Sequence, residues 1–222
     1  KPADMMTVGV YYYPEAWPSS QWPRDMANIK KLGLEFVHMG EFAWVFMEPE
    51  EGRFDFEWLA RNVELASAQG LKVVLCTPSA TPPVWLARKY PEVLMVDANG
   101  RRMEHGSRSH ACWSVPRYRE YVAKIITKLA ERFGTDARVW GWQLDNELSH
   151  YGKEYCYCDF CQAKFRTWLK ARYSSIDKLN QAWGNVFWSQ MFQNFDQIRI
   201  PNQAELVQQI NPHAQLDFQR WF

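Results

Sequence analysis

The chain has 222 residues and a formal net charge of +1, so it carries no general positive field that would attract nucleic acid or an anionic membrane surface. Hydrophobic residues make up 47% of the chain, enough for a buried core, but no apolar stretch approaches the roughly 18 residues of a membrane helix. Aromatic residues reach 16%, which leaves two interpretations open: a core of large side chains, or a sugar site lined by flat rings.

Short apolar segments alternate with helical ones along the first two thirds of the chain. The predicted strands, taken in chain order, are Thr7–Tyr13, Leu34–Met39, Leu71–Thr77 and Val139–Leu144. The predicted helices are Ser20–Leu32, Phe56–Ala68, a short segment from Pro82 to Tyr90, Pro116–Phe133, Gln162–Tyr173, Ile176–Trp183 and Gln203–Phe222, the last one broken near Pro212. Strands that are apolar nearly throughout and separated by helices are typical of a parallel sheet with crossover helices.

This order of elements predicts an α/β fold, namely the first half of a (β/α)8 TIM barrel with strands 1–4 and the helices that follow them. An open doubly wound sheet is the alternative. The glycine-rich phosphate-binding turn of a dinucleotide fold is missing after the first strand, where the chain reads Tyr12–Tyr13–Pro14–Glu15–Ala16–Trp17, and this favours the barrel. We interpret residues 1–222 as the N-terminal portion of one barrel domain, with a cysteine-rich loop at residues 150–161.

Carboxylates follow three of the four predicted strands, where the reacting groups of a barrel gather. Glu15 follows the first strand, Glu41 the second, and Asp145–Asn146–Glu147 the fourth. A glutamate at such a position can give a proton to a departing glycosidic oxygen and later take one from water, while an adjacent asparagine can bind a sugar 2-hydroxyl. The alternative is that these polar residues only begin the helices that follow.

Four of the five cysteines have the number and density of a metal site. Cys156, Cys158 and Cys161 lie within six residues, and Cys112 completes the four ligands of a tetrahedral structural zinc. Free or disulfide-bonded thiols are the alternative. A zinc-ribbon nucleic-acid module is disfavoured because two separated Cys–x–x–Cys knuckles are missing. Cys76, inside an apolar strand, is predicted to be an inert core thiol.

Residues 8 to 195 resemble the N-terminal part of the catalytic barrel of glycoside hydrolase family 42 β-galactosidases. The motifs that carry the resemblance are Gly9–Trp17 (GVYYYPEAW), Gly40–Trp44 (GEFAW) with Glu48–Pro49, Thr77–Pro83 (TPSATPP) with Trp85–Leu86, Gly106–Arg108 (GSR), Gln143–Glu147 (QLDNE) and Ala182–Gly184 (AWG). The resemblance implies a retaining β-galactosidase that hydrolyses terminal non-reducing β-D-galactosyl residues by a two-carboxylate double displacement.

Carried over position by position, the resemblance makes Glu147 the general acid/base and Asn146 its sugar-binding neighbour. Arg108 matches an arginine that binds galactose, with a salt bridge to a barrel carboxylate such as Glu41 as its structural alternative. Glu41 is expected to orient Arg108 or line the pocket, and Trp188 to form an aromatic wall beside the sugar. The resemblance also implies Zn²⁺, in a structural and not a catalytic role, held by Cys112, Cys156, Cys158 and Cys161.

The nucleophile, a glutamate near the seventh strand of this family, is expected beyond the end of this chain. We therefore expect the isolated chain to be inactive and, with open sheet edges, to self-associate. The resemblance implies a homotrimer for the full-length form only. Three alternatives stay open: another retaining β-glycosidase of the same clan, an inactive sugar-binding half-barrel, and a purely structural fragment. Because the chain starts at Lys1, both a cytoplasmic and an exported (periplasmic or extracellular) location are compatible with it.

Overall fold

The computed structural model describes residues 6–148 and 155–222, and these residues form two compact units. The first unit comprises the described residues within Lys1–Pro91, His105–Ser109 and Arg119–Leu148. The second comprises those within Glu92–Glu104, His110–Tyr118 and Ser149–Phe222. Among the described residues, no helix is both long enough and apolar enough to cross a membrane.

The first unit is built on a four-stranded parallel sheet. Its strands are β1 Gly9–Tyr11, β2 Phe36–Met39, β3 Lys72–Cys76 and β4 Val139–Gln143, and each pairs with the next in chain order. A doubly wound sheet reverses its strand order at a switch point, whereas a barrel adds strands in sequence. The order β1-β2-β3-β4 therefore favours the barrel. The predicted parallel strands are confirmed, and each is shorter than predicted, β2 only at its N-terminal end and β4 only at its C-terminal end.

Eight α-helices accompany the strands in the described residues. They are α1 Trp22–Lys31, α2 Trp44–Met47, α3 Glu57–Ala68, α4 Val84–Lys89, α5 Pro116–Phe133, α6 Asp159–Tyr173, α7 Ile176–Trp183 and α8 Pro212–Trp221. Short 3-10 helices occupy Pro14–Ala16, Pro78–Ala80, Pro91–Val93, Phe187–Ser189, Phe195–Gln197 and Gln203–Glu205. The predicted bounds of α5 and α7 agree with the structure at both ends.

The core of the first unit lies between the sheet and its covering helices. Met26 of α1 and Leu59 and Val63 of α3 are fully buried, as are Val37 and Val73 of the sheet. Burying side chains of this size stabilises the unit by about 1.5–3 kcal/mol each. This packing fixes the positions of the strand ends, and therefore the positions at which the polar loops begin.

The loop after β2 is held by a buried carboxylate. Glu48 is fully buried; its Oε2 accepts from the indole N–H of Trp44 at 3.0 Å, and its Oε1 accepts from the backbone N–H of Gly52 at 2.9 Å. The backbone oxygen of Glu48 also accepts from the indole N–H of Trp85 at 2.9 Å. Gly40 makes the turn into this loop with φ +88°, and a Cβ there would lie 3.0 Å from Met47 Cε. Glu41 is thereby fixed at the carboxyl end of β2.

Two predictions for the second unit are wrong in detail. Cys161 was assigned to a loop, but α6 begins at Asp159, because Cys158 takes the extended N-cap conformation and an aspartate follows in the first turn. The break predicted near Pro212 is confirmed, but the helix predicted before it is reduced to a 3-10 turn at Gln203–Glu205. Residues before a proline avoid the α region, and the side chain of Asn211 caps a new helix by accepting from two backbone N–H groups. Residues 150–154 of the predicted cysteine loop lie outside the described residues.

A buried carboxylate connects three helices of the second unit. Asp217 of α8 is 1% exposed, and its Oδ2 accepts from the hydroxyl of Tyr173 at 2.5 Å and from the indole N–H of Trp183 at 2.9 Å. Its Oδ1 lies 3.4 Å from Arg172 Nε and 3.4 Å from Arg220 Nη1. Asp217 therefore satisfies the buried indole N–H of Trp183 and the half-buried hydroxyl of Tyr173.

We expect Asp217→Ala to lower the stability of this unit by about 2–4 kcal/mol, because the buried indole N–H of Trp183 and the half-buried hydroxyl of Tyr173 lose their acceptor. The measurement is urea-induced unfolding of the full-length protein followed by tryptophan fluorescence. Asp196→Ala, at an exposed site, is the matched control and should change stability by less than about 0.5 kcal/mol. Equal effects of the two substitutions would contradict the role given to Asp217.

Candidate active site and cysteine cluster

Four polar side chains that the sequence singled out meet in the first unit. Arg108 Nη2 lies 2.7 Å from Glu147 Oε2. Asn146 lies between Arg108 and Glu41: its amide nitrogen donates to Glu41 Oε1 at 2.6 Å, and its amide oxygen accepts from Arg108 Nη1 at 2.7 Å. A carboxylate only accepts and a guanidinium only donates, so these neighbours fix the amide in one orientation.

Arg108 forms its ion pair with Glu147, the acid/base candidate, and Glu41 is linked to Arg108 through Asn146. The structural alternative for Arg108, a salt bridge to a barrel carboxylate such as Glu41, is thus observed with Glu147 as the carboxylate. The side chains of Arg108 and Glu147 are 35% and 50% exposed, so both are open to a ligand. The guanidinium carbon of Arg108 also lies 5.8 Å from the centroid of the Phe42 ring.

The Glu41 carboxylate also accepts hydrogen bonds from two residues whose role the sequence interpretation missed. The hydroxyl of Tyr13 donates to Glu41 Oε2 at 2.7 Å, and Gln143 Nε2 donates to Glu41 Oε1 at 3.3 Å. Burial, and then the hydrogen bond to Glu41, raise the pKa of Tyr13 well above its usual range, so this hydroxyl stays a donor. Tyr13 ends the first predicted strand and Gln143 is the last residue of β4, and a position at a strand end is the signal that could have identified them.

The backbone that carries the acid/base candidate is strained. Asp145 and Glu147 have φ +57° and +42°, in the left-handed region that non-glycine residues avoid. The turn is held because Thr77 Oγ1 accepts from the backbone N–H of Asp145 at 2.8 Å, and Gln143 Nε2 donates to the backbone oxygen of Asp145 at 2.9 Å. Strain of this kind costs about 1–3 kcal/mol per residue and concentrates at functional sites.

Two further sequence-derived residues are not part of the chain of contacts from Glu41 to Glu147. Trp188 is 69% exposed in the second unit, has φ +56°, and stacks on Phe187 with ring centroids 4.6 Å apart, so its role beside a sugar stays a prediction. Cys76 is fully buried, and burial, followed by the charges of Glu41 and Asp145, raises the pKa of its thiol to about 12. It stays a protonated core thiol at neutral pH, as the sequence indicated.

Four cysteines converge in the second unit. A pair of antiparallel bridges, Leu94 with Ala111 and Val96 with Arg102, folds the chain back on itself and leaves Cys112 beside the N-terminus of α6. Cys112 Sγ lies 3.4 Å from Cys161 Sγ and 3.8 Å from Cys158 Sγ. With Cys156 Sγ included, the four cysteine sulfurs all lie within 4.8 Å of one another.

The ligand type and the sulfur separations of the cluster fit a structural zinc ion. Sulfur ligands about 2.3 Å from a tetrahedral ion are about 3.8 Å apart, close to the sulfur separations here. All four cysteines are buried and none forms a disulfide. Hydrogen bonds from the other thiols, that of Cys112 first, lower the pKa of Cys158, which also begins α6, where the helix dipole favours a thiolate. The backbone N–H of Val96 donates to Cys156 Sγ at 3.4 Å, as an outer-shell donor to a thiolate would.

Comparison with known proteins identifies a family to which most of the chain is similar. A family model described as beta-galactosidase of glycoside hydrolase family 42 matches residues 11–222. The chain is 49% identical over 214 residues to the β-galactosidase BgaA of a Thermus species, covering 96% of this chain and 33% of that protein. The chain thus spans about a third of the length of the curated relatives it matches.

Solved structures agree with this comparison. A β-galactosidase from the Antarctic haloarchaeon Halorubrum lacusprofundi matches with a TM-score of 0.92 and 46% identity, over 97% of this chain and 32% of that one. A β-galactosidase from the psychrophilic Marinomonas ef1 matches with a TM-score of 0.92 and 42% identity, over 97% of this chain and 33% of that one. The predicted first half of a (β/α)8 barrel is confirmed by these matches.

Proposed function

This chain belongs to glycoside hydrolase family 42, and we propose that the full-length protein containing it hydrolyses terminal non-reducing β-D-galactosyl residues with retention of configuration. The observation that supports this most is the contact chain Glu41–Asn146–Arg108–Glu147 at the carboxyl ends of parallel strands. It joins an exposed carboxylate to hydrogen-bonding groups suited to sugar hydroxyls.

We assign the acid/base role to Glu147. As a neutral acid it transfers its proton to the glycosidic oxygen while the bond to the anomeric carbon breaks, and the galactosyl group passes to the nucleophile. As a carboxylate it then takes a proton from the water that releases galactose. The strained turn fixes where this carboxylate points, which matters because misplacement by about 1 Å can cost about 10²-fold in rate.

Asn146 and Arg108 are the proposed sugar-binding residues. With one N–H of Asn146 given to Glu41 and its oxygen engaged by Arg108, the amide keeps one further N–H and one lone pair for a sugar hydroxyl. Its contact with the 2-hydroxyl strengthens as positive charge develops at the anomeric carbon. Glu41 is a positioning residue: Asn146 and Gln143 donate to one of its oxygens and Tyr13 to the other, which leaves little freedom for nucleophilic attack.

The nucleophile of the double displacement is a second carboxylate about 5 Å from the acid/base. We propose, as the family resemblance implies, that it is a glutamate outside residues 1–222. Trp188 as an aromatic wall and a homotrimer of the full-length protein belong to the same proposal. They rest on the resemblance alone, and size-exclusion chromatography with light scattering tests the trimer.

We further propose that Zn²⁺ is held by Cys112, Cys156, Cys158 and Cys161. The proposal is supported by the sulfur separations, the burial and the absence of disulfides among these residues. Four thiolates close the coordination of the ion, so it has no open position for substrate. Its role is then to fix the chain between the hairpin at Leu94–Ala111 and the start of α6.

The test of the function is turnover of nitrophenyl glycosides by the full-length protein. We expect the β-D-galactoside to have the highest kcat/KM among the β-galactoside, β-glucoside, α-arabinoside and α-galactoside, and the first product seen by NMR to be β-galactose. A higher kcat/KM for another glycoside would favour another retaining β-glycosidase. Galactose binding with no turnover of any substrate would favour a sugar-binding role.

A further inference from the structure

We propose that Thr77 is a positioning residue for the acid/base Glu147: its hydroxyl holds the backbone turn at residues 145–147 in the shape that directs the Glu147 carboxyl at the glycosidic oxygen. This inference rests on the proposed function. Thr77 directly follows β3 and is 3% exposed, so it acts on the reaction through the residues that it contacts and not by touching the substrate. Thr77 and the turn belong to the same unit.

The turn begins where the pairing of β3 with β4 ends. Cys76 is the partner of Gln143 in the parallel ladder, and the backbone N–H of Thr77 donates to the oxygen of Gln143 at 3.0 Å. In a ladder that continued, the N–H of Asp145 would donate to the backbone oxygen of Thr77. It donates instead to the hydroxyl oxygen of Thr77, Oγ1, at 2.8 Å. The side chain thus replaces the next step of the ladder and lets the chain leave the sheet at this residue.

The hydrogen bond to Thr77 stabilises a strained residue. Asp145 has φ +57° and Glu147 has φ +42°, both in the left-handed region. The backbone oxygen of Asp145 is held as well, because Gln143 Nε2 donates to it at 2.9 Å. Without the Thr77 acceptor, Asp145 would lose the contact that compensates its strain and would relax towards a commoner backbone conformation. A change of φ at Asp145 rotates the chain that follows it, and Glu147 is only two residues further on.

Loss of the Thr77 hydroxyl should weaken proton donation by Glu147 more than any other part of the reaction. Thr77→Val keeps the branched shape of the side chain and removes only the acceptor. In the full-length protein we expect it to lower kcat/KM for phenyl β-galactoside, whose leaving group needs a proton, about tenfold. For dinitrophenyl β-galactoside, whose leaving group departs without a proton, kcat/KM should fall less than about threefold. A merely structural role for Thr77 would lower both rates alike.

Two further substitutions separate the hydroxyl from the shape of the side chain. Thr77→Ser keeps the hydroxyl and should stay within about threefold of the unaltered protein on both substrates, whereas Thr77→Ala should show the same dependence on the leaving group as Thr77→Val. Thr167→Val is the matched control, because the Thr167 hydroxyl donates only to its own helix, to the oxygen of Ala163 at 3.0 Å. Rates are expressed per active site, counted by the burst of dinitrophenol from the 2-deoxy-2-fluoro analogue of dinitrophenyl β-galactoside. A variant that folds only in part is therefore still measured.

The outcomes distinguish the role of Thr77 from the proposed function. A loss that is large for phenyl β-galactoside and small for dinitrophenyl β-galactoside, restored by Thr77→Ser, supports the inference. An equal loss for both substrates, a serine variant as slow as the valine variant, or no loss in Thr77→Val and Thr77→Ala overturns it, while the unaltered protein still hydrolyses both galactosides and the proposed function stands. If the unaltered protein hydrolyses neither, the proposed function fails and the inference fails with it.

Discussion

Replacing Glu147 with glutamine is expected to reduce kcat of the full-length protein on p-nitrophenyl β-galactoside by about 10²–10⁴-fold, the range that a positioned acid/base contributes. The amide is close in shape to the carboxylate, so Arg108 keeps a hydrogen-bond acceptor where it now has Glu147 Oε2 at 2.7 Å. The amide cannot give up a proton to an oxygen or take one from water. The loss should therefore appear in kcat, with a smaller change in the binding of galactose.

The dependence on the leaving group identifies the role of Glu147. A substrate whose leaving group departs without protonation, such as a dinitrophenyl galactoside, should lose much less in the first step than lactose does. Azide, a nucleophile that needs no general base, should restore turnover of the intermediate and yield β-galactosyl azide. A merely structural role would lower the rates of all substrates alike, and azide would not restore them.

A matched control tests whether the loss of one negative charge is by itself enough to lower kcat. Glu64 of α3 is paired with Arg61 on the surface, and Glu64→Gln removes one negative charge from a residue that is not part of the candidate site. It should leave kcat within about twofold of the unaltered value. If Glu147→Gln and Glu64→Gln had equal effects, the assignment of Glu147 as acid/base would be wrong.

The positions of the site residues along the chain could be predicted, but most of their contacts could not. Glu41, Asn146 and Glu147 were identified because they directly follow apolar strands, and a parallel sheet brings such positions to one edge. Arg108 lies in an irregular segment with no periodicity, so only the resemblance pointed to it. Its pairing with Glu147 depends on how that segment is tied to the chain after β3, which no local pattern encodes.

Capping and backbone preferences of a few residues explain where helices begin and end differently from the prediction. The break near Pro212 was predicted correctly, because the Asn211–Pro212 pair caps and starts a new helix, but the segment before it forms only a 3-10 turn at Gln203–Glu205. Cys161 was assigned to a loop because three cysteines in six residues suggest a turn. The chain instead places Cys158 at the N-cap and Cys161 one turn later, so that one helix end presents two sulfurs to Cys112.

Removing the proposed zinc should destabilise the full-length protein more than the loss of ordinary core thiols would. We expect elemental analysis to find about one zinc per chain, and chelation to lower the melting temperature by roughly 5–10 °C, since structural zinc contributes directly to folding free energy. Cys158→Ser should lose the zinc and reproduce this shift. Added chelator should then change the melting temperature of that variant no further.

The alternative of four free thiols makes the opposite prediction for the chelator. If Cys112, Cys156, Cys158 and Cys161 only pack together, Cys158→Ser costs about 1–3 kcal/mol as a buried polar substitution, and chelation leaves the unaltered protein unchanged. Cys76→Ser is the matched control, because Cys76 is equally buried but outside the cluster, and it should keep its zinc. A chelator-insensitive melting temperature together with zinc-free protein would therefore reject the metal site and leave the cysteines as core residues that hold the start of α6.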